Sequence, residues 1–544
     1  MSPRSARVDD GVGPGSDAGS VGVVVIVYND ADRLADAVRS ALAQGAIVGE
    51  VVVVDDASTD DTPAVCARLA AEDPRVRVVR RADNSGGCGT PRNDGMAAAR
   101  AARIVFLDSD DVFPPGAVDA LAAAADRHDA HVVAGLCVRR ELPRTRDVPW
   151  QPHLFTAEVG YTNVAERPET VWDTLSVNKL YDRAFLLGHD IRFPDGAGHY
   201  EDFVFTARVY AAGPRFAVIP DHVYTWHVRR EAGDPSISLR RDRIGNWLDR
   251  LDAHRQVVDI LTEADEPALR AAAQTKFVEH DLRLYLRDLH KRPAEYRDPW
   301  WHAARGHLAG LDADAVRAAF PAARWAAAVL AARPEPTDLA RLAELAAEPP
   351  RLIGPYATRE GVAVWDDAAP EVWLTGLADL APAELPVVVE ADVLGPRGNV
   401  LDLTVHDLHG RLAEVEPSRI DVELRDRHGD EVRVLGVREG RLRAVPGAGA
   451  WTGRVTVEAL HVAGLEPFAV WDVWVRVHHA AGAPIVTKVR AGRGLGRRMR
   501  PDLRNGLAFV QFHATASRSL AIRYAGGGAG IREVLGARLR RRRG

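Results

Sequence analysis

The sequence predicts an α/β fold: a doubly wound mixed sheet, then a helical linker, then an all-β sandwich region. Three observations carry that expectation. Apolar β-branched runs alternate with amphipathic stretches from about Val21 to Pro114. Helical periodicity takes over from about Arg241 to Pro350. Short alternating runs broken by Gly, Pro and Asp fill the stretch from about Arg351 to Tyr524.

Val23–Val27 and Val51–Val54 read as buried strands, apolar on both faces. Between them Asp30–Ala43 reads as a helix, with Leu34, Val38 and Leu42 at i, i+4 and i+8. Helix Thr62–Ala71, strand Val76–Val79, helix Asn93–Ala102 and strand Ile104–Leu107 follow. Pro115–His128 reads as a helix and Val132–Val138 as a strand. The stretch Thr170–Thr225 is mixed: Val177–Leu180 and Phe216–Ile219 read as strands, Tyr200–Ala212 as a helix with an acidic start.

Further on, Trp247, Leu251, Val258 and Leu261 share one side of a helix, and Phe277, Leu282, Leu286 and Leu289 belong to the next. Ala315–Ala347 continues the helical region, which Pro349-Pro350 closes. Val387–Val393, Leu401–Val405, Ile420–Leu424, Val432–Val437, Val455–Leu460, Val470–Val477 and Ala508–His513 read as strands of a two-sheet sandwich. The expected organisation is a disordered tail over 1–20, an α/β domain over 21–240 and a helical linker over 241–350. A β-sandwich over 351–525 and a basic tail over 526–544 complete it.

A chain of 544 residues exceeds a single core. Its formal net charge of −6 argues against nucleic acid as a partner. Lys179, Lys276, Lys291 and Lys488 are the only lysines, which reads as coding bias of a GC-rich genome. Cys66, Cys88 and Cys137 lack metal-type spacing and fit free thiols. No apolar run reaches the ~20 residues of a membrane span, and Met1–Ser20 has no apolar signal core. A cytoplasmic protein is expected, with at most peripheral contact at the inner membrane face.

Acids stand where two apolar strands run out. Val51–Val54 leads into Asp55-Asp56, and Ile104–Leu107 into Asp108-Ser109-Asp110-Asp111. Ligands of such sheets bind beyond the strand carboxyl ends, and acids there suit a divalent cation with a phosphate-bearing ligand. If the second strand continues through its acids, Asp108 and Asp110 share a face. The same acids could cap a turn before Pro114-Pro115. Ser58, Thr59 or Asp60 could cap the following helix, or Asp56 could accept from a nucleobase ring N–H.

Asn84–Asn93 is a Gly-rich loop in which Arg92 opens the next helix, a favourable place for an anion. Tyr200-Glu201-Asp202-Phe203 puts two acids at a helix start, either to offset its dipole or to supply a general base.

In combination, Val25–Asn29, the Val-Val-Asp-Asp-Ala-Ser-Thr-Asp segment, the Leu-Asp-Ser-Asp-Asp segment and the later Glu-Asp pair resemble family-2 glycosyltransferases in order and approximate spacing. The resemblance covers about residues 21–240. It implies the GT-A fold, a nucleotide-diphospho-sugar donor, Mn²⁺ or Mg²⁺, and inversion at the anomeric carbon. Asn84-Ser85-Gly86-Gly87 with Gly89, Pro91, Arg92 and Asn93 resembles the loop of the poly(ribitol-phosphate) N-acetylglucosaminyltransferases of wall teichoic acid. In that family the C-terminal β-rich region serves oligomerisation or polymer binding, so a homo-oligomer is an expectation as well.

Carried over by position, the resemblance implies that Val27, Tyr28, Asp56, Asn84, Arg92, Asp108 and Ser109 hold the nucleotide sugar. Asp110 is the firmest metal ligand and Asp108 its companion. Asp202 is the base, supported by Glu201; Asp55 and Asp111 support or cap. The chain departs from the family at Ile26, where Pro is frequent, and at Asp234, where relatives have His; His227 lies nearby.

The expected function is transfer of a sugar, GlcNAc by resemblance, from a UDP-sugar to a hydroxyl of a cell-wall polymer such as a teichoic acid, or of another surface glycan. Two alternatives are a non-catalytic glycan-binding protein and a metal-dependent nucleotidyltransferase. The latter usually has a Gly-rich loop directly after its first strand, where this chain has Tyr28-Asn29-Asp30. Arg493, Arg497, Arg498 and Arg500, and the run Arg538–Arg543, read either as contacts to an anionic polymer or membrane surface or as solvated charge.

Overall fold

The computed structural model describes residues 20–142, 146–196, 198–229, 241–394, 400–427, 432–435, 441–457, 468–502 and 506–526. The basic run Arg538–Arg543, Asp234 and the expected N-terminal tail up to residue 19 lie outside the described residues. The chain divides into two compact units, Met1–Phe277 with Leu311–Val316, and Val278–Gly310 with Arg317–Gly544.

In the first unit, β1 (Val21–Val27) is buried along its whole length. It lies between β2 (Val48–Asp55) and β4 (Arg103–Asp108), parallel to both, with β3 (Val76–Arg80) outside β2. A strand covered on both faces must be apolar throughout, and the valine run meets that demand. The register sets Ile26 beside Asp108 and Val27 beside Asp55, so the two acids end the strands on either side of β1 at the same level.

Beyond β4 the sheet changes direction. β8 (Lys179–Asp182) is antiparallel to β4 and to β5 (Val132–Leu142). β9 (Phe216–Arg229) runs parallel to β5, and β7 (Val159–Tyr161) closes the edge. β6 (Arg146–Pro149) pairs with β5 off the main path. The crevice at the carboxyl ends of β1, β2 and β4 is therefore the place where a ligand of such a sheet binds.

The helices of this unit are α1 (Leu34–Leu42), α2 (Thr62–Glu72), α3 (Gly89–Ala98), α4 (Ala117–His128), α5 (Arg183–Gly188), α6 (Glu201–Ala211), α7 (Ile244–Glu263) and α8 (Pro267–Lys276). Several boundaries differ from the sequence expectation, four of them for reasons visible in the neighbouring contacts. α3 starts at Gly89, not Asn93, so Arg92 lies inside the first turn. Its early start follows from close approach: a Cβ on Gly89 would sit 2.2 Å from the Pro194 carbonyl oxygen. α1 starts at Leu34, because Asn29 and Asp30 spend their backbone N–H groups on Ser58 and Thr62 hydroxyls.

β8 begins at Lys179 because Asp173–Asn178 is tied into side-chain bonds. β9 runs on to Arg229 through polar residues that its pairing with β5 accommodates, with register shifts around Leu136.

The second unit holds the helices Arg283–Leu289, Ala294–Leu308, Pro321–Ala332 and Leu339–Leu345. Two larger β-sheets follow. One is ordered Arg443–Val445, Ala450–Thr456, Val400–His406, Val389–Leu394, Arg490–Ala491. The other runs Val432–Leu435, Arg419–Asp426, Phe468–His478, Leu520–Gly526, Gly506–Ala514, Gly496–Asp502, with Ile485–Lys488 added to Phe468–His478. Strict alternation of buried and half-buried residues along Val400–His406 shows one face turned to a core. Of the expected strands here, residues 436–437 and 458–460 lie outside the described residues.

Gly95 lets α3 rest on the sheet. A Cβ there would lie 2.2 Å from Val24 Cγ1 and 3.1 Å from Val54 Cγ2. Gly95→Ala is expected to destabilise the protein by about 1–3 kcal/mol through overpacking, measured by denaturant unfolding. An unchanged midpoint would refute this account of the helix–sheet contact.

Candidate active site

Three carboxylates converge on one guanidinium. Arg92, in the first turn of α3, is 2% exposed. Its Nη1 donates to Glu201 Oε1 at 2.8 Å and to Asp202 Oδ1 at 2.9 Å; its Nη2 donates to Asp108 Oδ1 at 2.8 Å. Phe193 backs the guanidinium, 5.3 Å from ring centroid to Cζ. A buried guanidinium is tolerable only when paired, so the α3 residue fixes the end of β4 to the start of α6. Its donors at Nη1 and Nη2 are thus engaged with acids of the chain.

Asp202 has a second support. Ser176 Oγ donates to Asp202 Oδ1 at 2.8 Å, while Oδ2 takes a 3.4 Å contact from the Ser176 backbone N–H. Oδ2 is the less engaged oxygen. Glu201 is pushed up to about 7, first by burial and then by Asp202 beside it, against the opposing pull of Arg92.

The turn after β4 carries the remaining acids. The strand ends at Asp108, so Asp110 lies in a turn and the expected shared strand face does not form. Asp111 N donates to the Asp108 carbonyl, which closes the chain into that turn. Asp110 is faced by Arg33 at 3.8 Å and Arg229 at 3.5 Å. Burial, then Asp108, pushes its carboxyl up to about 6.

Asp111 is buried and takes bonds from the Tyr224 hydroxyl and the His227 N–H, both at 2.7 Å. Ser109 donates to Asp30 Oδ2 at 2.7 Å. His227 Nδ1 faces the Asp110 carbonyl at 3.1 Å.

Across the crevice, Asp56 is held by Asn84 Nδ2 at 3.0 Å, Ser85 Oγ at 2.7 Å and Arg81 Nε at 2.8 Å. The Gly-rich loop is thereby folded onto the end of β2. Val27 is buried and accepts from the Asp56 N–H, while Tyr28 is 49% exposed at the mouth. Asp55 accepts from the Ser58 N–H at 2.9 Å and shapes the turn. Asp60 Oδ1, at 2.9 Å, takes the N–H of Thr62 at the start of α2.

The structure therefore groups Arg92, Asp108, Glu201 and Asp202 directly, Asp110 beside Asp108, and Asp56 with Asn84. Sequence reasoning missed Ser176, Tyr224 and the buried pair Lys179–Asp173. Lys179 Nζ contacts Asp173 Oδ2 at 2.6 Å and the Leu175 carbonyl at 2.5 Å, which fixes the segment that presents Ser176. Lys179 is one of only four lysines in an arginine-rich chain, which was the available signal.

Mn²⁺ or Mg²⁺ takes hard oxygen donors and usually only one or two protein carboxylates. Asp108 and Asp110 are the carboxylates that would hold such an ion. The upward shift of Asp110 marks a place where added positive charge is favoured. The residues fit such an ion as an open site. Among the described residues, no group of three His, Cys, Asp or Glu forms a closed cage.

Comparison with known proteins bears on the family and the fold. Residues 22–187 match the family described as Glycosyl transferase family 2. The succinoglycan biosynthesis protein ExoO of Rhizobium meliloti is 35% identical over 257 residues, 46% of this chain and 68% of that protein. The poly(ribitol-phosphate) β-N-acetylglucosaminyltransferase TarS of Staphylococcus aureus is 32% identical over 212 residues, 38% of this chain. The chain spans 35% of the length of that relative.

The crystal structure of S. aureus TarS is similar over 93% of this chain and 85% of its own, with a TM-score of 0.50 and 19% identity. Its 1–349 fragment with UDP-GlcNAc covers 64% of this chain and 97% of that fragment, with a TM-score of 0.51 and 21% identity. At these identities the two structures inform on fold alone.

The Asp110 carboxyl titrates higher folded than unfolded, so the native state keeps a proton that the unfolded chain loses. Its stabilising contribution is complete below about pH 4 and is lost as pH rises through about 6. Asp110→Asn, neutral throughout, is expected to gain on the parent by a few degrees in melting temperature between pH 4.5 and 7.5, without ligand. A melting-temperature difference that is constant over this window, or reversed, would contradict the assignment.

Proposed function

The chain belongs to the family 2 glycosyltransferases, and we propose that it moves a sugar from a UDP-sugar, GlcNAc in the first instance, with inversion, to a hydroxyl of an anionic cell-wall or surface glycan. It is a glycosyltransferase with a GT-A-type α/β domain followed by all-β sheets. The observation that carries the mechanism is the Arg92 junction, which joins the Asp108 end of β4 to the Glu201-Asp202 start of α6.

Asp202 is the proposed general base. Ser176 and Arg92 both hold Oδ1, so Oδ2 is the oxygen that takes the proton of the attacking hydroxyl. A single displacement needs this one base and no protein nucleophile. Glu201, pushed up to about 7, shares the Arg92 contact and keeps a second carboxyl near the base without a second full negative charge.

The nucleotide occupies the crevice at Val27, Tyr28, Asp56 and Asn84 in this reading, with Ser109 and Asp108 toward the diphosphate. Asp56 receives the base N–H if the Ser85 and Asn84 bonds yield or share its oxygens. Mn²⁺ or Mg²⁺, held by Asp110 with Asp108, would supply positive charge to the departing diphosphate. Among the described residues no helix is long and apolar enough to cross a membrane.

Purified protein with UDP-GlcNAc, divalent cation and wall polymer is expected to release UDP and label the polymer. Asp202→Asn is expected to lower kcat by about 10²–10⁴-fold, the usual worth of a general base, while UDP affinity measured by calorimetry stays within a few-fold. Arg92→Lys should lose more than half of the activity, since an ammonium cannot span three carboxylates with a planar fork. Undiminished transfer by Asp202→Asn would remove it from the base role.

A further inference from the structure

The second unit contains a cleft of its own. It has a volume of about 570 Å³, in the range of small-ligand sites. Helical residues around Arg287 and Ala340 form one wall, and the ends of Ile485–Lys488 and Leu520–Gly526 with the turn before the latter form the other. Five arginines and lysines line it against three carboxylates.

Those carboxylates are committed. Glu344 is paired with Arg351 at 2.6 Å and with Arg490 at 3.1 Å, neither of which lines the cleft. Asp288 pairs with Lys291 at 2.5 Å, and Asp472 with Arg427 and, at 3.9 Å, with Lys488. Arg287 and Arg518 are left without an acidic side chain within 4 Å among the described residues. Arg518 stands on a backbone with φ +57°, which the tight turn Thr515–Ser519 imposes. His290 Nδ1 is buried at the cleft and has no hydrogen-bond partner in the described residues.

The same wall carries three hydroxyls in a row. Thr515 Oγ1 and Ser517 Oγ are 2.9 Å apart, and Ser517 and Ser519 Oγ 3.5 Å apart. Buried Arg351 fixes the row from behind, through Ser519 Oγ at 3.1 Å and the Ser517 carbonyl at 3.3 Å. No Phe, Tyr or Trp of the described residues lines the cleft. It therefore offers no aromatic stacking face for a sugar ring or nucleobase.

We propose that this cleft binds the phosphate group of a polyol or sugar phosphate, with Arg287 and Arg518 as the charge partners and the Thr515–Ser517–Ser519 row as hydroxyl partners. Unpaired arginines suit phosphate oxygens, and the hydroxyl row suits the alcohols that flank a phosphodiester. The proposal stands on the second unit alone and does not depend on the donor assigned to the first.

The test is calorimetry on the full chain with inorganic phosphate, glycerol 3-phosphate and a soluble poly(glycerol phosphate), UDP being present throughout. All three are expected to bind, and Arg287→Gln and Arg518→Gln are each expected to weaken binding about tenfold. Transfer to a small soluble acceptor should be unchanged in both variants, which are surface substitutions remote in sequence from the catalytic groups. A polymer that binds more tightly per molecule than glycerol 3-phosphate marks a repeating phosphodiester as the ligand; equal affinities mark a single phosphate group. Absence of binding by all three, or binding that neither substitution alters, would overturn the proposal.

Discussion

The buried guanidinium of Arg92 is the constraint from which the site's geometry follows. A charge removed from water must find opposite charge within hydrogen-bond reach. Here it finds three carboxylates, from residues 108, 201 and 202. Each belongs to a different part of the chain from Arg92, and none could be moved without leaving the guanidinium underpaired. Asp202, the proposed base, and the end of the acid-bearing strand are therefore held at fixed distance by one side chain. Substrate binding acts on a site already assembled.

Around that junction the loops are held by the same means. Asp56 gathers Asn84, Ser85 and Arg81, so the Gly-rich loop is pinned to the end of β2. Asp111 gathers Tyr224 and His227, so the turn after β4 is pinned to β9. Lys179 and Asp173 fix the segment that supplies Ser176. Of the acids at the strand ends, Asp55 and Asp111 shape backbone, Asp108 anchors Arg92, and Asp110 alone is left facing two arginines across more than 3 Å. This division leaves Asp110 as the acid whose charge is least compensated by direct hydrogen bonds.

Much of the first unit was legible in the residues. The valine runs declared central strands because only strands covered on both faces tolerate such runs, and the acids after them declared the ligand end of the sheet. Helix limits were less legible. α3 begins four residues early because Gly89 and Gly95 admit close neighbours, a tertiary fact with no local signature. β9 was read as four residues and runs to fourteen, because pairing with β5 stabilises polar positions that local pattern scores against strand.

Sequence by itself determined the order of the main strands and helices of the first unit, their apolar core and the identity of the acids, because these depend on local periodicity and on which side chains can carry charge. It also placed the chain beside a transferase family through segments that are contiguous in sequence. Only the tertiary structure decided which acids meet. Arg92 and Asp202 are separated by 110 positions and joined at 2.9 Å, and Ser176 enters from a third segment. The cleft of the second unit likewise unites residues 287 and 518. Pairing of distant charges depends on sheet register and on burial, and neither is written in the residues that pair.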